Sequence, residues 1–179
     1  ARMGSGLSLI IFFAGAFGLM FAIEKFKNSG VGVALLLGFT FFMGLMLSRL
    51  VGTVLGFSNG SSLVMMAFGG TAAVFFAMAS LASVVKRDLS NMGKFLFVGA
   101  ILLLVAGVIN IFVQSSALMV TLSVIAIGLF SAFMLYDIKR VIDGGETNYV
   151  TATLAIYLDI YNVFQSLLAL LGIFGGERD

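Results

Sequence analysis

Long uncharged stretches separated by short polar breaks make up almost all of this chain. Met3 to Ile23 is 21 residues without a charge, and Asn28 to Ser48 is another 21. Leu50 to Val85 runs 36 residues, and the turn-forming residues from Phe57 to Ser62 divide it in two. Phe95 to Tyr136 runs 42, divided by Gln114, Ser115 and Ser116. A last apolar stretch, from about 148 to 174, has Asp159 in its middle. A helix rises 1.5 Å per residue, so about 20 residues cross a hydrocarbon layer of about 30 Å. The pattern therefore predicts an all-α membrane protein with six transmembrane segments at 5–24, 31–55, 61–85, 93–113, 117–142 and 148–174. All six belong to a single integral-membrane domain over 1–179.

Composition removes whole classes of function. Hydrophobic residues are 61% of the chain and charged residues 10%, against about 25% charged in a soluble domain. Mean hydropathy is +1.17. The net charge of +2 forms no basic face, so nucleic acid is not a partner; the lipid bilayer is. There is no Cys, hence no disulfide, thiol chemistry or thiolate metal site. There is no His to shuttle protons or ligate a metal near neutral pH. The 22 glycines suit close helix packing in lipid.

The cations set the orientation. Lys25 and Lys27, then Lys86, Arg87 and Lys94, then Lys139 and Arg140 are 7 of the 10 positive charges. They fall at alternate connections, and the intervening short loops have none. The positive-inside rule makes loops 25–30, 86–92 and 139–147 cytoplasmic. Ala1 is then outside, which leads us to expect one more helix upstream. Arg49 lies 18 residues beyond the cytoplasmic start of its segment, about 27 Å along the helix, near the outer interface. Its ordinary reading is a snorkelling side chain; as a fixed cation there it would disfavour the approach of Ca²⁺.

Two acids sit inside apolar segments, Asp137 in the fifth and Asp159 in the sixth. An intramembrane carboxylate is costly and marks a functional site by default. Asp159, Asn162 and Ser166 share one helix face; Tyr157, Tyr161 and Gln165 share the next. Such a polar stripe should turn away from lipid, which makes the last helix the centre of the bundle. A short connection joins segments five and six into an antiparallel hairpin and brings the two acids together, although ideal helices leave an offset of about 9 Å along the axis. Two carboxylates in a low-dielectric site do not both ionise cheaply, so the pair is expected to hold one proton near neutral or mildly acidic pH. That proton ties the two helices together; losing it leaves two like charges that separate or admit a cation. Ca²⁺ takes six to eight oxygen ligands, so Asp137 and Asp159 are expected to pass or weakly hold Ca²⁺, with Tyr136, Tyr157, Tyr161, Asn162 and Ser166 as supporting polar lining. No resident cofactor is expected. The bland alternative pairs Asp137 with Lys139, Arg140 or Lys86 at the interface.

Several runs carry a family resemblance. They are AFGGTAAVFF around Thr71, KRDLSNMGKFL at 86–96, NIF at Asn110, LYDIKRVI at Asp137, and GGETNYVTATLAIYLDIYNVF through Asp159. With these the chain resembles the Bax-inhibitor family, also called TMBIM or lifeguard, in its bacterial YccA-like branch. The resemblance implies seven helices, six around a central C-terminal one, of which this chain holds the second to seventh. It also implies a multi-pass protein of the bacterial inner membrane and a pH-sensitive cation or Ca²⁺ leak. Hydrogen-bonded aspartates, matching Asp137 and Asp159, would gate it. A further implication is association with the membrane protease FtsH as a modulator.

Other readings were weighed on the residues. Intramembrane aspartyl proteases need a Gly-x-Gly-Asp motif and a Pro-Ala-Leu motif, and this chain has neither. No nucleophile and base pair is visible, so the expectation is not an enzyme. Asp143 and Glu146 are expected to help cap the last helix, with Thr147 or Asn148 at its N-cap. Thr71 and Asn110 are expected to hydrogen-bond between helices. The second functional reading is a non-catalytic interaction protein that binds or modulates another membrane complex, such as FtsH.

Overall fold

The computed structural model describes residues 2–176; residue 1 and residues 177–179 of the domain read from the sequence lie outside the described residues, as do the side chains of 2–6, 8 and 9. The chain forms six helices: α1 (Arg2–Phe26), α2 (Gly30–Leu55), α3 (Gly60–Val84), α4 (Met92–Val113), α5 (Ser116–Ile142) and α6 (Tyr149–Gly175). No strand occurs among the described residues. α2 to α6 are each long and apolar enough to cross a membrane. The helices end at the turn-forming breaks and not at the first charge: α1 takes in Glu24 and Lys25, α2 takes in Arg49, and α5 takes in Asp137, Lys139 and Arg140. Gln114 takes a left-handed backbone (φ 57°) after α4, and its N–H donates to the Asn110 carbonyl at 2.7 Å. Gly144, at φ 80°, opens the turn after α5.

Consecutive helices run antiparallel, so the connections after α1, α3 and α5 share one end. That end is the cationic one. Asn148 spans two of these loops: its side-chain amide donates to the Lys27 carbonyl at 3.1 Å and to Asn28 Oδ1 at 2.9 Å. The third loop lies close enough for Lys139 of α5 to act on Asp88. At the opposite end Asn59 Nδ2 donates to the Gly175 carbonyl at 2.6 Å, tying the α2–α3 turn to the end of α6.

α6 is the hub. It packs against α5, α3, α2 and, more lightly, α1, whereas α4 packs on α5 alone. Two cores form around it. The first joins α1, α2 and the start of α6 through Ile23, Phe39, Met43 and Val150, which are almost wholly buried. The second joins α2, α3 and the end of α6 through Val54, Leu63, Ala67 and Leu168. Small residues let the backbones approach. A side chain at Gly70 would meet Leu167 at 3.2 Å, and one at Gly172 would meet Val54 at 3.3 Å. The rest of the apolar surface is turned outward, as lipid-facing helices require: Phe21, Phe68, Phe95 and Phe112 are all strongly exposed.

Gly32 tests this packing. It is buried, and a Cβ there would run into the Phe26 backbone carbonyl, which cannot swing aside. We expect Gly32→Ala to lower stability by about 1–3 kcal/mol, read as a lower thermal midpoint in detergent. Gly38→Ala, with open space around it, should leave the midpoint unchanged or raise it slightly. Equal behaviour of the two variants would contradict the packing.

Candidate functional site

The α5–α6 hairpin sets up the site. Its connection, 143–148, folds back on the end of α5: the N–H groups of Gly145 and Glu146 both donate to the Arg140 carbonyl, at 2.9 and 3.1 Å. Asn148 then caps α6, its Oδ1 accepting from the N–H groups of Val150 and Thr151 at 3.0 and 3.1 Å. Glu146 Oε1 accepts from the Asn148 N–H at 3.1 Å. Of the two acids expected to assist this cap, only Glu146 does. Asp143 follows the last turn of α5, where Lys139 Nζ lies 3.2 Å from it; an (i, i+4) partner on its own helix is nearer than the start of the next one.

This hairpin brings the Asp137 and Asp159 side chains close enough to act on each other. The expected axial offset does not keep them apart. The six residues of 143–148 supply the slack by which α6 is set lower than α5, so its tenth residue beyond Tyr149 meets the fifth residue before Ile142. Asp159 is 3% exposed, and its Oδ2 has no hydrogen-bond partner among the described residues. Two carboxyl groups can hydrogen-bond only if one of them is protonated, since an ionised carboxylate has no donor. A buried acid with an unpartnered oxygen is a high-energy arrangement that the surrounding bundle must hold in place.

Two of the three cations proposed as alternative partners of Asp137 are engaged elsewhere. Lys139 is on Asp143, and Arg140 is 3.8 Å from Glu146 and stacked 5.6 Å from the Tyr136 ring centre. Lys86 forms no ion pair among the described residues. Arg140 still acts on Asp137 through space. In the exposed loops, Lys27 is paired with Glu24 at 2.8 Å, which holds its ammonium above the usual lysine value. The Ser90 N–H donates to Asp88 at 3.0 Å and holds that carboxyl below the usual carboxylate range.

The remaining predicted lining residues divide between surroundings. Tyr161 donates its hydroxyl to the Met43 carbonyl at 3.2 Å, bolting α6 to α2. Tyr157 lies against Phe39 (ring centres 6.2 Å apart) and Tyr161 (6.0 Å). Tyr136 lies over Gly93 of α4, where a Cβ would be 2.5 Å from its hydroxyl. Tyr161, Asn162 and Ser166 also line a cavity of about 970 Å³, which takes in Gln165 as well. Asn162 Nδ2 donates to the Leu158 carbonyl at 2.8 Å. Arg49 is exposed on α2, with no carboxylate beside it among the described residues.

Sequence reasoning misassigned two polar residues and missed a third. Thr71 donates to Ala67 of its own helix at 2.7 Å, and Asn110 accepts from the Ser115 N–H at 3.0 Å to close the α4–α5 turn. Neither reaches across to another helix, because a short polar side chain finds the local backbone first. Ser123, buried on α5 and lining the cavity, went unnoticed; a lone serine in an apolar helix carries no periodic signal. Among the described residues no group of three acids, His or Cys could hold a metal. Asp137 and Asp159 therefore form a two-carboxylate station, well short of a Ca²⁺ cage.

Comparison with known proteins identifies the family. The family model described as inhibitor of apoptosis-promoting Bax1 matches residues 2–176. The chain is 38% identical over 164 residues to the Escherichia coli K12 protein named modulator of FtsH protease YccA, covering 92% of this chain and 74% of that one. Its counterpart in another E. coli strain, at the same identity and coverage, is named inner membrane protein YccA. A Vibrio cholerae membrane protein is 37% identical over 177 residues, covering 97% of this chain and 79% of its own. The chain belongs to the Bax inhibitor family.

The pair makes a stability prediction. In Asp159→Asn the amide can donate to Asp137, so the contact survives without a shared proton. We expect its thermal midpoint in detergent to stay within about 1 kcal/mol of the parent in stability terms. Asp159→Leu strands Asp137 inside the bundle and should cost about 1–3 kcal/mol. Equal midpoints for the two variants would show that the acids do not depend on each other.

Proposed function

We propose that this Bax inhibitor family membrane protein is a non-catalytic, pH-sensitive cation leak of the bacterial inner membrane, with Ca²⁺ as its cargo and the Asp137–Asp159 pair as its gate. The observation that supports this most directly is the closeness of the two carboxyl side chains, each acting on the other inside the bundle, with Asp159 3% exposed. With one proton shared, α5 and α6 are held together and the path between them is closed. When that proton leaves, two like charges face each other in a poorly solvated site, and they separate or draw in a cation. Flux then rises as pH rises. With only two carboxylates and neutral oxygens near them, Ca²⁺ is passed rather than stored.

A second reading has its own support. The E. coli relative is named a modulator of FtsH protease, and 38% identity over most of both chains makes a shared partner a reasonable second proposal. In that reading the lipid-facing helices bind the protease complex and the aspartates hold the bundle together. Co-purification of FtsH in mild detergent tests it, and the two roles can coexist in one protein.

Reconstitution in proteoliposomes tests the leak. Between about pH 6 and pH 8, flux should rise with pH by up to about tenfold per unit, the most that loss of a single proton can give. Asp137→Asn and Asp159→Asn should each flatten that dependence and keep flux low, because an amide donor replaces the titrating proton. An unchanged pH profile in both variants sinks the gate. No flux above empty liposomes in the parent protein leaves the interaction reading.

A further inference from the structure

The charges at the cytoplasmic end are unevenly matched. Three of the cations there have an acid of their own: Lys27 has Glu24, Lys139 has Asp143, and Arg140 has Glu146. Lys86, Arg87 and Lys94, around the α3–α4 connection, form no ion pair among the described residues, and all three are exposed. The one acid between them, Asp88, accepts from the Ser90 N–H and is acted on by Lys139 of α5. Three cations against one acid give the stretch 86–94 a net charge of +2.

Lys94 stands where helix physics prefers an acid. It lies in the first turn of α4, and the free N–H groups and dipole of a helix start oppose a cation. That turn has no acidic residue, and Asn91 at its N-cap makes no side-chain cap hydrogen bond. The start of α6 differs: Asn148 caps it, and Glu146 lies against the cap. Lys86, Arg87, Lys94 and the start of α4 thus share one sign, and their mutual repulsion costs stability until an anion lies over them.

Position decides which anion. Val84, the last residue of α3, and Phe95, the neighbour of Lys94, are both strongly exposed apolar residues. The cations therefore stand at the rim of two lipid-facing helix ends, beside the headgroups of the cytoplasmic leaflet. A lipid phosphate meets the charge while its acyl chains meet the exposed apolar residues. Basic residues just cytoplasmic of a spanning helix are drawn to anionic lipid by about fivefold per cation.

We propose that Lys86, Arg87 and Lys94 form a docking surface for an anionic phospholipid of the cytoplasmic leaflet, with its phosphate over the start of α4 and an acyl chain along Phe95. The surface lies apart from the aspartate pair and does not depend on whether the protein conducts.

The whole protein in lipid nanodiscs tests it. Discs of phosphatidylcholine are compared with discs in which part of that lipid is replaced by phosphatidylglycerol. The thermal midpoint is read in each, and native mass spectrometry counts the lipids that stay bound. Phosphatidylglycerol should raise the midpoint of the parent and be retained over phosphatidylcholine. Lys86→Gln, Arg87→Gln and Lys94→Gln should each weaken that preference by about fivefold, and the combined variant should lose it. Lys25→Gln removes an exposed cation at the same end but outside the surface, and should keep the preference. Lys94→Glu gives an opposite sign in the two lipids. In phosphatidylcholine it should melt above the parent, because an acid suits a helix start; with phosphatidylglycerol it should lose the parent's gain. Equal preference in the parent and the combined variant overturns the surface, as does a loss in Lys25→Gln as large as in Lys94→Gln. A parent indifferent to phosphatidylglycerol, whose combined variant sheds a co-purifying protein, also overturns it and gives these cations to a protein partner.

Discussion

A carboxyl group enclosed in an apolar bundle must find a proton, a cation or a hydrogen-bond donor, and among the described residues Asp137 is the charged group that acts on Asp159. The organisation around α6 follows from that constraint. α6 lies at the hub because the bundle, not lipid, must surround its acid. α5 is held beside it by a hairpin whose connection is fastened three ways: to the Arg140 carbonyl, to the Asn148 cap, and through Asn148 to the α1–α2 loop. The nearby cations are drawn off to Asp143 and Glu146, so the two membrane acids are left to each other. Had Lys139 or Arg140 paired with Asp137, the carboxyl contact would have had no reason to carry a proton.

Much of the fold was legible in the sequence because hydrocarbon imposes a simple rule. Uncharged runs of the right length had to be helices, and the breaks between them had to carry turns or charges; the last helix, read as 148–174, is Tyr149–Gly175. The closeness of the two acids was legible as a hairpin, but their level was not. Residue counting in ideal helices gave an offset, and the path of a six-residue connection absorbed it. Asn148 was visible as a cap, whereas its second task of joining two loops depends on long-range contact that no local pattern encodes.

The cavity was the least legible part. α4 carries Lys94 and Asn110 near its two ends and no polar stripe between them to orient it, so nothing in its sequence says that it packs on α5 and leaves α6 open. Gln165 and Ser166 could be seen on the face of α6, but their exposure depends on where α4 stands. Polar residues that bond locally were also misread as bridges: Thr71 and Asn110 each satisfy the backbone nearest to them. Family membership fits the same picture, since the matched region runs through all six helices.

The central claim is that Asp137 and Asp159 share one proton inside the folded protein. Infrared difference spectroscopy on the purified protein, stepped upward in pH, reads it directly through the carbonyl stretch of a protonated carboxyl. The account predicts one such band that bleaches as pH rises and is missing from both Asp137→Asn and Asp159→Asn. A folded protein with no protonated-carboxyl band at any pH in the range where flux changes would contradict it.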